Sequence, residues 1–353
     1  MFPRGYQPAW ADDKAICPPD NLENQFNLLK NIHLSAAAPI TLSARNLVRS
    51  SGGHEIIRDI SLELRQGEVL GLLGHNGAGK STTMQMLTGA LAPQSGQIII
   101  CGHNMAIQPE LAKAHIGFLP ETPPLYREMR VDDFLLFAAK LHRVPRSQMT
   151  YYLTETKRRC GLQSSGKKII STLSKGYQQR IGIAQAIIHQ PEVIILDEPT
   201  VGLDPSQIRD IRALIRELGD SHSVILSTHL LNEVASICDR VEIIHHGRLI
   251  YSDSSERMQQ YGHQPGFIVT LLAPPPLAEL QAIEGVQQVE PLSGTQFRII
   301  YAADAPPGTG SDPGSKLLEL AAQHGWQAKQ LVPLQARLED VFMQITQDEE
   351  ERV

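Results

Sequence analysis

The segment Gly74-His75-Asn76-Gly77-Ala78-Gly79-Lys80-Ser81-Thr82 follows directly on the apolar run Val69-Leu70-Gly71-Leu72-Leu73. A glycine, four residues, then Gly-Lys-Ser between an apolar strand and a helix starting near Lys80 is the pattern of a phosphate-binding loop. The glycines matter because backbone N–H groups must converge on phosphate oxygens, and a Cβ at Gly77 or Gly79 would obstruct or strain that cradle. Lys80 is placed to meet the β- and γ-phosphates, and Ser81 offers a hydroxyl to Mg²⁺, while the following helix adds the positive end of its dipole. A glycine-rich turn can also be plain structure, but the Lys-Ser pair and the strand-to-helix context select the functional reading.

Further along, Val193-Ile194-Ile195-Leu196 is a short, continuously apolar run rich in β-branched residues, which predicts a buried parallel strand ending in Asp197 and Glu198. Two exposed turn acids would be the plain reading. With Lys80 upstream, Asp197 is instead expected to serve Mg²⁺ and Glu198 to reach the water that attacks a γ-phosphate. Leu173-Ser174-Lys175-Gly176-Tyr177-Gln178-Gln179-Arg180, Gly202-Leu203-Asp204 and, after the apolar run Ser223-Val224-Ile225-Leu226, Ser227-Thr228-His229 complete the series. Ser174 by itself reads as a helix N-cap. The series as a whole predicts ATP binding and hydrolysis, with ATP and Mg²⁺ as the small-molecule requirements.

Leu173 to Gln178 resembles the signature of the ATP-binding-cassette (ABC) family, whose usual form is LSGGQ, and the other motifs stand in that family's order over roughly residues 40 to 250. The resemblance implies an α/β phosphate-loop nucleotide-binding domain: a mostly parallel core sheet, an antiparallel edge sheet and a helical subdomain, here followed by a small α+β C-terminal domain. It also implies a site completed in trans, in which Ser174 and the Gly176 N–H of one cassette close over the γ-phosphate held by another. Asp204 would then sit at the interface, and His229 would contact the γ-phosphate and help orient the water and Glu198. The active form implied is a dimer of cassettes, a homodimer in the simplest case.

Three positions depart from the family pattern. Glu121, after Ile116-Gly117-Phe118-Leu119-Pro120, stands where glutamine is usual; it can still coordinate Mg²⁺ and accept a hydrogen bond from water, but cannot donate one. Lys175 and Tyr177 make a signature variant that resembles the ATPases of ABC-2-type exporters, which favours export over uptake. Leu47 to His54 lacks the aromatic ring that usually stacks on adenine, leaving Ser51 near that place and His54 as a weak substitute.

The 353 residues accommodate one large and one small domain, and the net charge of −6 gives no basic footprint for nucleic acid. Nothing approaches about 18 consecutive apolar residues, so a pore would belong to a separate multi-spanning permease, with this chain at the cytoplasmic face of the cell membrane. Cys17, Cys101, Cys160 and Cys238 are scattered without C-x-x-C pairing, and the remaining histidines, His245-His246 included, lack metal-ligand spacing with cysteines or acids. A disulfide or zinc framework is therefore not expected. Residues 1–38, with Pro3, Pro8, Pro18 and Pro19, read as a mobile tail. The cassette is expected over 39–255 with its helical subdomain at about 122–175, a linker over 256–266, and an accessory domain over 267–353 in the order β-α-β-β-α-β. The competing class, a soluble cassette ATPase acting on a ribosome or DNA, usually brings paired cassettes or long coiled-coil insertions, and this chain has a single phosphate loop and no sustained heptads.

Overall fold

The computed structural model describes residues 38–261, 265–301, 313–334 and 338–350. All but the last residue of the expected tail, Cys17 included, lies outside them. The hairpin β1 (Ile40–Ser51) and β2 (His54–Arg65) leads to β3 (Val69–Leu73), α1 (Lys80–Leu87), β4 (Ser95–Ile100), β5 (His103–Asn104), α2 (Pro109–Ala114) and β6 (Ile116–Leu119). The helices α3 (Val131–Leu141), α4 (Arg146–Arg159) and α5 (Lys175–Ile187) follow. Then come β7 (Val193–Asp197), α6 (Pro205–Gly219), β8 (Ser223–Thr228), α7 (Leu231–Ile237), β9 (Arg240–His245), β10 (Arg248–Ser254) and α8 (Ser255–Gln260).

The core sheet runs β10-β9-β3-β8-β7-β6, parallel except for the edge strand β10, and every residue of β3, β7 and β8 is buried. Because side chains alternate across a strand, these apolar runs feed two cores at once. Val193 and Ile195 join the core built with the antiparallel edge sheet β2-β1-β4-β5 and Met84, Met86 and Leu87 of α1. Ile194 and Leu196 face the opposite core, shared with Ile181 and Ile183 of α5 and Ile211 and Ile215 of α6. This two-sided burial holds the C-terminal ends of β3, β7 and β8 side by side, where all the phosphate-site motifs lie.

The C-terminal part comprises β11 (Gly266–Leu271), α9 (Leu277–Gln281), β12 (Val286–Pro291), β13 (Gln296–Tyr301), α10 (Pro313–His324), β14 (Ala328–Pro333) and α11 (Leu338–Glu350). Its antiparallel sheet, ordered β12-β13-β11-β14, and its two helices enclose a separate core around Phe267, Phe297, Leu317 and Trp326. The β-α-β-β-α-β order expected from sequence is the one observed.

Several local expectations are corrected. The linker expected over 256–266 begins as helix α8, which runs to Gln260, with 262–264 outside the described residues and Gly266 already in β11. Pro313 and Gly314 open α10 and are buried; 302–312 lie outside the described residues. The last strand starts at Ala328, just after Gln327 at a positive φ of 52°. In α4, Leu153 packs half-buried against the cassette core and Met149 and Tyr152 against a small cluster around Ala138 and Ile188, whereas Tyr151 is 66% exposed.

The largest correction concerns α11. It does not complete the accessory domain, because Val341, Phe342 and Ile345 pack into the cassette core with Val234, Ile237 and Met258. The Phe342 ring meets the His75 imidazole edge-on, centroids 4.9 Å apart. Truncating a buried phenylalanine costs about 3–5 kcal/mol through lost transfer energy and the residual cavity. Phe342→Ala is therefore expected to lower the urea midpoint of the cassette transition, and an unchanged midpoint would mean that α11 is not docked in solution.

Candidate nucleotide site

The phosphate loop joins β3 to α1 as the sequence predicts. Gly77 and Gly79 take φ of 82° and 112°, in the left-handed range where a side chain is strained. At Gly79 a Cβ would also stand 2.6 Å from Ile57 Cδ1, whereas at Gly77 nothing lies within 4 Å, so conformation alone requires glycine there. The loop borders a cavity of about 550 Å³ lined also by Lys80, Ser81, Thr82, Glu121, Glu198, Val201 and His229. Glu121 thus joins the site from the end of β6, as expected, and Ile56 lines it from β2. Ser51 and His54 flank the β1–β2 turn and are not among the residues lining this cavity.

Lys80 is 5% exposed and donates from Nζ to the carbonyls of Gly74 (2.8 Å) and His75 (3.3 Å), with Glu198 Oε1 at 3.4 Å. An ammonium buried in this way is paired because leaving it unpaired would cost several kcal/mol. Glu198 follows the last residue of β7 at a positive φ of 48°, a conformation costing on the order of 1–3 kcal/mol for a non-glycine residue. The backbone holds it there: its N–H donates to the Ser227 hydroxyl at 3.0 Å. Its second oxygen, Oε2, lies 2.8 Å from His229 Nδ1. One carboxylate therefore bridges the loop lysine and the histidine beyond β8, and can exchange either contact for a hydrogen bond from water.

Ser81 Oγ donates to Asp197 Oδ1 at 3.3 Å, and Asp197, 4% exposed, also accepts from the Ser227 hydroxyl. The hydroxyl and carboxylate oxygens of Ser81, Asp197 and Glu121 are the hard donors that Mg²⁺ prefers, so this set fits that ion.

Sequence reading missed a buried polar support beneath these groups. Glu233 of α7 is fully buried and accepts from Thr200 Oγ1 (2.5 Å) and Thr228 Oγ1 (2.8 Å), with Arg212 at 3.5 Å. It ties the turn after Glu198 to the residue before His229. Nothing in a lone glutamate on a helix signals this, since the threonines meet it only after β7 and β8 pair.

Ser174 and Gly176 lie apart from the cavity, in a second cleft with Gly161, Tyr177, Arg180, Gln207 and Asp210. Ser174 is the N-cap of α5, accepting from the Tyr177 N–H at 3.5 Å. Asp204 likewise caps α6, accepting from the Ser206 hydroxyl at 2.6 Å and from the N–H groups of Gln207 and Ser206, contacts that hold its carboxyl below the usual range. Lys175 reaches over the turn at Gly202, φ 69°, where its ammonium fills the space a Cβ would need.

Fold and cavity together define a phosphate-loop nucleotide-binding ATPase. Residues 57–201 match the family model described as ABC transporter. The chain is 36% identical over 219 residues to YxlF, an uncharacterized ABC transporter ATP-binding protein of Bacillus subtilis (strain 168), covering 62% of this chain and 72% of that one. It is 36% identical over 211 residues to the bacitracin transport ATP-binding protein BcrA of Bacillus licheniformis, covering 59% and 68%. A solved structure described as an ATP binding subunit of an ABC transporter superposes with a TM-score of 0.58 at 30% identity, over 63% of this chain and 93% of that one. The chain belongs to the ATP-binding proteins of ABC transporters, and it binds and hydrolyses ATP.

Removing the Glu233 carboxylate would leave two threonine hydroxyls and the Arg212 guanidinium without their buried acceptor, a loss of about 3–5 kcal/mol when a buried pair is broken. Glu233→Ala is expected to reduce ATP turnover more than ATP affinity, because it loosens Glu198 and His229 and leaves the phosphate loop intact. Equal losses in kcat and in ATP binding would show that Glu233 supports the whole fold rather than the catalytic edge.

Proposed function

We propose that this chain is the ATPase subunit of an ABC-2-type exporter, acting on a separate multi-spanning permease at the cytoplasmic face of the membrane. No helix among the described residues is long and apolar enough to cross a membrane. The observation that carries the catalytic part of the proposal is the Lys80–Glu198–His229 chain at the mouth of the loop cavity. In it the amides of Gly74 to Thr82, His75, Asn76 and Ala78 among them, and the Lys80 ammonium hold the phosphates. Glu198 accepts the proton of the attacking water, oriented by its contact with His229. Ser81, Asp197 and Glu121 would hold Mg²⁺, which supplies charge neutralisation at the phosphates.

In the same reading Ser174 and Gly176 serve the nucleotide of a second cassette. Supporting this are their separation from Lys80 within one chain and their place beside an open cleft. Asp204 would stand at that interface. ATP binding closes such a dimer and hydrolysis lets it reopen. Export is supported by the Lys175-Gly176-Tyr177 variant and by the similarity to a protein named for bacitracin transport. The domain of β11 to β14 holds no catalytic constellation among its described residues, and we assign it to regulation or dimer support.

Replacing a general base costs on the order of 100- to 10,000-fold in rate. Glu198→Gln is accordingly expected to keep ATP binding while turnover falls by that order, and unchanged turnover would remove Glu198 from the role of base. The same variant, captured with ATP from detergent-solubilised membranes, is expected to bring a multi-spanning protein with it. Recovery from the soluble fraction with ribosomes or DNA would instead favour a soluble cassette ATPase.

A further inference from the structure

At the opposite end of the core sheet from the nucleotide, three chain segments converge on one small site. Cys101 and Gly102 form the turn between β4 and β5, where Ile100 pairs with His103. His115 immediately precedes β6 and Glu192 immediately precedes β7, and the His115 carbonyl accepts from the Val193 N–H at 3.0 Å, which locks the two together. One ligand atom each from Cys101, His115 and Glu192 lies within 4.8 Å of the others. Spacings of 14 and 77 residues along the chain match no metal motif. The parallel pairing of β6 with β7, and the edge sheet laid over them, bring the three side chains together.

One detail is poorly explained by packing alone. Cys101 occupies a left-handed position, φ 47°, in a turn where asparagine, aspartate or glycine is the usual choice. Its thiol is half-buried beside a carboxylate, and burial first, then Glu192, push it up to about 11. The His115 imidazole faces this pair, its Nδ1 2.8 Å from Glu192 Oε2. The His103 ring stacks parallel on that of His115, centroids 5.4 Å apart, and its own Nδ1 is held by Gln108 Oε1 at 3.3 Å.

We infer that Cys101, His115 and Glu192 form a zinc site that clamps the edge sheet to the core sheet. A sulfur, an imidazole nitrogen and a carboxylate oxygen are the donor set of a borderline-soft divalent cation, and three protein ligands leave a fourth tetrahedral position to water. Bonds of about 2.0 Å to nitrogen and oxygen and about 2.3 Å to the one sulfur, at tetrahedral angles, place the donors roughly 3.3–3.5 Å apart. The His115–Glu192 pair opens from 2.8 Å to accommodate the ion, and a pair at the 4.8 Å limit closes by roughly 1.5 Å at most. This site is separate from the Mg²⁺ ligands, which stand at the other ends of β6 and β7. The plain alternative is a half-exposed His115–Glu192 ion pair with Cys101 as a small packed side chain.

The test uses the full chain, stripped with a chelator and kept in excess Mg²⁺ so that the nucleotide-site oxygens are occupied. Co²⁺ is titrated first as a chromophoric probe and then displaced with Zn²⁺. The expected result is one equivalent of Co²⁺ with tetrahedral ligand-field bands and a thiolate charge-transfer band, both removed by Zn²⁺. Cys101→Ser should abolish the thiolate band, and Cys101→Ser and Glu192→Gln should each weaken Zn²⁺ binding by at least the roughly 10- to 100-fold that losing even a supporting partner costs. ATP turnover at the parental level in both variants certifies their fold, since neither residue touches the nucleotide cavity; should Cys101→Ser not fold, Glu192→Gln decides by itself. Absence of the thiolate band in the parent, or Zn²⁺ affinity unchanged by Glu192→Gln, would overturn the site and leave the ion pair alone.

Discussion

Everything at the catalytic edge depends on keeping one buried ammonium neutralised. Lys80 is drawn out of water by the close packing of the phosphate loop, and without ligand its charge is met by two loop carbonyls and by Glu198. That demand explains why Glu198 is held at a positive φ and why its second oxygen engages His229. A phosphate oxygen arriving at Lys80 would replace Glu198 as counter-charge, and on the function proposed above that exchange frees the carboxylate for water.

The scaffold serves this arrangement by rigidity in the right places. β3, β7 and β8 are buried along their whole length, so the loop, the two acids and the histidine start from strand ends that cannot shift independently. Behind them Glu233 couples the turns that follow β7 and β8, and α11 sets Phe342 against His75 of the loop. A helix that follows the accessory domain in the chain thus touches the phosphate loop, which provides a physical route by which that domain can bias nucleotide binding.

Much of the site was legible because its residues are close in sequence or fixed to strand ends. Gly77 and Gly79 must be glycine for backbone reasons that act within a few residues, and Asp197 and Glu198 follow a run of apolar residues that can only be a buried strand. The positions that escaped reading are those whose partners are remote. Ile56 lines the cavity because β2 lies beside the loop, a proximity that no spacing along the chain records.

By itself the sequence determined the chemistry, the phosphate-loop fold and the order of elements in the C-terminal domain, since each rests on local constraints: left-handed glycines, apolar runs of strand length, and a capping residue such as Ser174. Only the tertiary structure decided that α11 belongs to the cassette core, that Glu233 lies between two threonines, and that Cys101, His115 and Glu192 share one corner of the molecule. The physical reason is the same in each case. Parallel strands are joined by long crossovers, so residues far apart in the chain become neighbours through strand register, which no spacing along the sequence records.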